Sequence, residues 1–268
     1  MIYDCFTLRD ELDLLELRLK LLDNYVDKFV ISEANKSFTN INKEYTYHLN
    51  KERFKQWEEK IIYLPIKLDD SGLDFTIKDT TYTGTSAAWQ FEYQQRNALF
   101  YGLKDITDDD IIMIGDLDEI PNLKNLPSKI ITPKVFVQNF YYYFFNYKSI
   151  GPQDQVWGGT VVTLGKDFTT PQDMRNNRNY YQPIMNGGWH WSYMGGKEFI
   201  KRKIQTISHT EFNHPQYYSD ENINECLIKG KDVFNRPGMN FTLIQLEREY
   251  PKEIYDIIKE YKQFIYEN

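Results

Sequence analysis

Apolar residues in the first 120 positions follow two alternating rhythms, short continuous runs and a helical spacing. Residues 2–7 read as a short strand. Over 10–22, Leu12, Leu15, Leu19 and Leu22 fall three or four apart, as one face of a helix requires, with Asp10 placed to cap it. Lys28-Phe29-Val30-Ile31 is a second buried run, ending at Ser32-Glu33-Ala34-Asn35. Residues 50–60 read as a helix, 61–64 as a strand halted by Pro65, and 86–103 as a long helix. The stretch 69–85 is rich in Asp and Thr, has no period and reads as a loop of a length often tied to function. Ile111-Ile112-Met113-Ile114 is a fourth apolar run. Strands alternating with helices in this way predict an α/β fold with a mainly parallel, doubly wound sheet.

The pattern changes after Pro121. Residues 135–147 form a long aromatic run, and 156–164 a second strand after the Gly151-Pro152 turn, which predicts antiparallel additions to the sheet. A short helix is expected at 172–181, a strand at 187–193, and helices at 197–206, 219–229 and 250–266. Neither a repeat nor a low-complexity segment interrupts the chain, so one domain over 1–268 is the expectation.

Composition narrows the function. At 268 residues with 41% hydrophobic and 16% aromatic content, the chain can fill one large core. A net charge of −7 with scattered Lys and Arg argues against a nucleic-acid partner, which needs a basic face. Cys5 and Cys226, a lone distant pair, read as separate thiols. The first residues lack the basic and apolar regions of a signal peptide, and no apolar run is long enough to span a bilayer. The expectation is a soluble, cytoplasmic protein.

The chemistry concentrates where the fourth run ends, in Gly115-Asp116-Leu117-Asp118-Glu119-Ile120-Pro121. Along an extended backbone Asp116 and Asp118 share a side. Paired carboxylates at a strand end repel one another unless a cation lies between them, and an all-oxygen pair suits Mg²⁺ or Mn²⁺ carrying a substrate diphosphate. The carboxyl ends of strands are also where open α/β sheets bind ligands. A solvated acidic turn is the plain alternative.

A second block is Gly187-Gly188-Trp189-His190-Trp191-Ser192-Tyr193-Met194-Gly195-Gly196-Lys197-Glu198. Paired glycines permit close backbone approach to a ligand, and a helix start offers free N–H groups to an anion. Arg96 on the long helix, with Arg202 and Lys203 later, are candidates for a diphosphate; ordinary surface cations are the alternative. Aromatic residues of 140–145, with Trp157, Trp189 and Trp191, divide between core packing and a floor for a sugar ring.

These blocks, together with Phe29–Asn35, Phe38-Thr39, Gln95-Arg96-Asn97 and Lys203 to Glu211, occur in the order seen in glycosyltransferase family seventeen, which the chain resembles from about Ile2 to about Gly230. This is the family of the β-1,4-mannosyl-glycoprotein 4-β-N-acetylglucosaminyltransferase. The resemblance implies a GT-A-like fold, a nucleotide-sugar donor (UDP-GlcNAc in characterised members), a glycan or glycoprotein acceptor, a divalent metal and an inverting displacement. It divides the chain into a nucleotide-binding half (about 1–121), an acceptor and metal half (122–230) and a C-terminal helical extension (231–268). Asp116 and Asp118 would hold Mn²⁺ or Mg²⁺, with His209 as a further ligand. Glu33 and Asn35 would meet the nucleoside, Arg96 and Lys203 the diphosphate, and Gly187, Gly188, Trp189 and His190 the donor. Glu198 is the expected general base, with Asp154 as its rival. Animal members carry an N-terminal membrane anchor that this sequence lacks, which leaves the acceptor open. Two other classes remain: a metal-dependent nucleotidyltransferase or phosphohydrolase, and a non-catalytic nucleotide-sugar or glycan-binding module.

Overall fold

The computed structural model describes residues 1–77, 84–151 and 155–267. The chain runs β1 (Ile2–Leu8), α1 (Leu12–Leu22), β2 (Lys28–Ala34), α2 (Thr46–Leu49), β3 (Ile61–Ile66), α3 (Ala87–Asn97) and β4 (Ile111–Asp116). It continues through β5 (Glu119–Pro121), β6 (Lys134–Tyr142), β7 (Tyr147–Ser149), β8 (Val156–Leu164), α4 (Pro171–Asn176), β9 (Gln182–Ile184), β10 (Gly188–Ser192) and α5 (Gly196–Thr206). Last come α6 (Pro215–Tyr218), α7 (Asp220–Lys229), β11 (Phe241–Leu243), α8 (Leu246–Glu249) and α9 (Lys252–Ile258).

Among the described residues the strands join in one sheet, ordered β11-β7-β6-β8-β4-β1-β2-β3, with β10 bridging β5 and β6 and with β9 on β6. β4, β1, β2 and β3 are mutually parallel. β8 pairs antiparallel with both β4 and β6, and β7 with β6, as the change of pattern after Pro121 predicts, whereas β9 and β10 join β6 in parallel. Alternation explains the two-sided burial. Phe6, Phe29, Ile31 and Met113 face the helix α1 side, while Cys5, Val30, Ile112 and Ile114 face Leu99 and Leu103 on the other. Each large apolar side chain buried in this way contributes about 1.5–3 kcal/mol.

Several boundaries differ from the sequence reading. The helix expected over 50–60 is α2 followed by a 3₁₀ helix, Lys51–Trp57. The aromatic strand stops at Tyr142, where Tyr143 takes a positive φ of 69° and the chain turns. The final helix is only Lys252–Ile258. The helical extension expected from 231 onward packs into the fold over 231–267: β11 pairs with β7, and Ile258, Tyr261 and Phe264 lie in the same cluster as Leu15 and Phe29. Part of the expected 69–85 loop, and the Pro152 half of the Gly151-Pro152 turn, fall outside the described residues. Cys5 and Cys226 are separate buried thiols.

The first glycine pair of the second block is a packing device. A Cβ on Gly187 would lie 2.6 Å from the Val137 nitrogen and 2.8 Å from the Ile184 oxygen. One on Gly188, whose φ is +123°, would lie 2.0 Å from the Ile120 oxygen. Backbone from β5 and β6, rather than a ligand, occupies the space that side chains would take. Gly188→Ala should therefore lower stability by ~2–4 kcal/mol, combining a positive-φ penalty with overpacking. Gly72→Ala is the control, since it shares a positive φ (+76°) but meets nothing within 4 Å. It should cost ~1–2 kcal/mol. Urea denaturation of the two variants tests this; equal losses would mean that the Gly188 contact is relieved cheaply.

Candidate active site

The turn after β4 hangs on one buried guanidinium. Arg18 of α1 donates through Nη1 to the backbone oxygens of Asp116 (3.0 Å), Leu117 (3.1 Å) and Glu119 (2.8 Å). Its Nε and Nη2 hold the carboxylate of Asp4 on β1 at 2.8 and 2.7 Å. Both side chains are fully buried, and the guanidinium lies over the Phe6 ring. A helix and two strands thus fix the backbone that carries the paired carboxylates.

Glu119 fixes the turn from its side-chain end. It is wholly buried, and its oxygens accept the Asp116 N–H (3.1 Å), the Trp157 indole N–H (2.6 Å) and the Arg175 guanidinium (2.8 Å from Nη1). Gly115 leaves room for it: a Cβ there would sit 2.6 Å from the Thr160 hydroxyl and 3.2 Å from the Glu119 carboxylate.

On this frame stand the two aspartates. Asp116 accepts from Arg96 (3.0 Å) on one oxygen and from Arg175 (2.8 Å) on the other, and its side chain is 34% exposed. Asp118 accepts from Lys203 (3.0 Å), and its second oxygen lies 3.5 Å from His190 Nε2. Burial alone would raise both carboxyl pKa values. The Arg175 and Arg96 guanidiniums outweigh it at Asp116, and Lys203 with His190 outweighs it at Asp118, so both are held well below the usual range. Both are anions at neutral pH.

Of the expected site residues, Arg96, Lys203 and His190 reach this centre. Trp189 does not. His190 faces the carboxylates, so its neighbours on β10 must point the other way; Trp189 and Trp191 enter the core, where the Trp191 indole donates to Tyr250 at 3.2 Å. Gly187 and Gly188 serve strand packing, as above. Glu33 is fully buried, accepting from Lys43 (2.9 Å), the Thr46 and Tyr47 N–H groups and the Tyr63 hydroxyl (2.8 Å), and so it anchors the start of α2. Asn35 accepts the Leu68 N–H at 3.0 Å and holds the exit of β3. Glu198 is 76% exposed in the first turn of α5. Five residues before Lys203, it lies about 140° round the helix from it. Asp154 lies outside the described residues.

His209 stands beside α3, edge-on to Trp89 at 4.8 Å, with Nδ1 2.6 Å from the Glu211 carboxylate. Its neighbour Ser208 donates to Glu92, which accepts from Arg96 at 2.6 Å, so a relay links this segment to Asp116. Among the described residues no three His, Cys, Asp or Glu side chains are grouped to hold a metal. Asp116 and Asp118 alone suit an open site. Three of the four oxygens face Arg96, Arg175 or Lys203 and the fourth lies near His190, so each retains lone-pair capacity, and Mg²⁺ usually binds through one or two carboxylates plus phosphates and water.

A cavity of about 510 Å³ opens nearby, lined by Thr39, Ser86, Arg202, Gln205, Thr206 and Asn213 among others. It lies beyond the ends of β1 and β2, where Arg9 donates to Thr206 (2.9 Å) and Thr39 to the Gln205 oxygen (3.0 Å). The last turns of α5 line this cavity and also place Lys203 on Asp118.

Sequence reasoning missed Arg18, Arg175 and the anchoring role of Glu119. Arg175 gives no signal, coming from a short helix with no motif. Arg18 gives one: in Leu17-Arg18-Leu19 a charge falls three and four residues after Leu15 and Leu14, on the buried stripe, just as Asp4 falls in an apolar strand.

Arg18→Met should cost about 3–5 kcal/mol, because it strands a buried carboxylate. The double variant Asp4→Leu/Arg18→Met should regain much of that loss, since an apolar pair replaces the ion pair. Urea unfolding of the single and double variants measures both; a double variant as unstable as the single one would mean that the carbonyl contacts, and not the charge pair, dominate.

The model for Glycosyltransferase family 17 matches residues 1–253. No curated protein sequence matches the chain. No helix among the described residues is long and apolar enough to cross a membrane. With a family match spanning nearly the whole chain, over a mainly parallel sheet whose β4 ends in two anionic carboxylates, this protein belongs to glycosyltransferase family 17.

Proposed function

We propose that this glycosyltransferase moves a sugar, GlcNAc first among the candidates, from a UDP-sugar to a glycan acceptor with inversion at C1. The observation that supports this reading is a pair of anionic aspartates at the end of β4, joined through α5, which sets Lys203 on Asp118, to a cavity that the same helix lines. A nucleoside in that cavity directs its diphosphate toward the aspartates. Mn²⁺ or Mg²⁺ held there supplies Lewis-acid neutralisation of the leaving diphosphate.

The chain's own groups do the rest. Lys203 and Arg96 add positive charge where the diphosphate charge grows as the C1–O bond breaks. Arg175 and Glu119 keep Asp116 in one orientation, so little reorganisation accompanies that step. An acceptor hydroxyl attacks C1 from the opposite face and needs a carboxylate to take its proton. Glu198 and Asp154 remain the two candidates for that base, and the exposure of Glu198 on another face of α5 weighs toward Asp154.

Two experiments test this. UDP with Mn²⁺ should stabilise the protein by about 2.7 kcal/mol at a hundredfold excess over Kd, and Asp116→Asn or Asp118→Asn should abolish the shift. Equal stabilisation by UDP in the presence of a chelator would remove the metal from the scheme. In transfer assays with a panel of nucleotide sugars, UDP-GlcNAc should give free UDP and an intact transferred sugar; transfer of the nucleotidyl group instead would overturn the reaction class. Of Glu198→Gln and Asp154→Asn, the variant that loses roughly two to four orders of magnitude in kcat with donor affinity kept identifies the base.

A further inference from the structure

One cation close to the carboxylates has no counter-ion among the described residues. Arg96, Arg175 and Lys203 are each ion-paired to Glu92, Asp116, Glu119 or Asp118. Arg178, half-buried and one turn after Arg175, makes no ion pair among the described residues. Its Nη1 donates only to the Arg175 carbonyl, at 3.3 Å, and its guanidinium lies 5.4 Å from the centre of the Trp157 ring. The carboxylates that act on it, Glu119 and Asp116, are already engaged with Arg175. Burial and the charge of Arg175 both press the Arg178 pKa downward, against a weaker pull from Glu119 and Asp116. A desolvated guanidinium in that position is poised for an oxyanion, which it can grip with two parallel N–H donors.

Its position distinguishes it from the donor's cations. In the sheet, β1 and β2 lie on one side of β4 and β8 on the other. The cavity is lined by the segments after β2 and β3, the start of α3 and the end of α5. Trp157 is the second residue of β8, and the Arg178 guanidinium lies over its ring. Beside it Tyr180 is 87% exposed and Val156 is exposed as well, giving apolar surface next to the charge.

We propose that Arg178 and the Trp157 ring beneath it form an oxyanion subsite for the acceptor, so that the acceptor is an acidic glycan carrying a uronic acid or a phosphate. This rests on reading the β1–β2 side as the donor side. The donor diphosphate offers the same chemistry, and the experiment separates the two sources.

A glycan array of matched pairs, each with and without a uronic acid or phosphate, is probed with the full chain, with and without UDP and Mn²⁺. The wild type should retain the acidic members at least tenfold more tightly than their neutral partners. Arg178→Gln should lose that preference while its thermal shift with UDP and Mn²⁺ stays unchanged, and Arg178→Lys should fall between. A preference that is absent, or that survives in Arg178→Gln, overturns the proposal. A variant that loses its UDP shift also overturns it, by assigning the guanidinium to the donor. Retention of acidic glycans by a wild type that UDP does not stabilise would sink the transferase reading and leave this subsite standing.

Discussion

The buried pair of Asp4 and Arg18 is the constraint on which the site depends. A turn carrying three carboxylates in four residues is a poor structure by itself, because like charges repel and its carbonyl oxygens need donors. Arg18 answers the second need with one nitrogen shared by three carbonyls. Asp4 makes the guanidinium tolerable inside the sheet, since an unpaired charge there would cost several kcal/mol. Because α1 and β1 supply the pair, the first two elements of the chain set the backbone of a turn a hundred residues later.

Charge repulsion within the turn is answered separately. Glu119 turns inward to Arg175 and the Trp157 indole, Asp116 is bracketed by Arg96 and Arg175, and Asp118 is held by Lys203. These cations come from α3, α4 and α5, three elements that otherwise touch the sheet at different places. The consequence for function is preorganisation: the carboxylates are anionic and oriented before a ligand arrives, and fixed charges of that kind need no reorganisation during reaction. The same charges exact a condition, because any divalent ion would have to compete with Arg96, Arg175 and Lys203 for those oxygens.

Local pattern carried the sequence reading as far as local physics reaches. The strand–helix alternation of the first 121 residues and the shared side of Asp116 and Asp118 follow from period-two and period-3.6 burial, which neighbouring residues determine. Glu33 and Trp189 show the limit. Each was legible as chemistry at a strand, yet which face each takes depends on partners far away: the start of α2 claims Glu33, and His190, by facing Asp118, sends Trp189 inward. Arg175 was illegible because its significance lies wholly in a partner 56 residues away, Glu119. The polar stretches around 78–83 and 152–154 lie outside the described residues, and Asp154 with them.

The glycine pair at 187–188 connects packing with chemistry. β10 pairs antiparallel with β5 and parallel with β6, so it must enter a slot with backbone on both sides. Without side chains at its entrance, Gly188 can approach the Ile120 oxygen, and the register that results sets His190 opposite Glu119 and beside Phe140. Shifting β10 by one residue would exchange the faces, sending Trp189 or Trp191 to the carboxylates and His190 into the core. Glycine is thus required here for the position of a histidine two residues on, and close backbone approach, which the sequence suggests as room for a ligand, acts instead through the sheet.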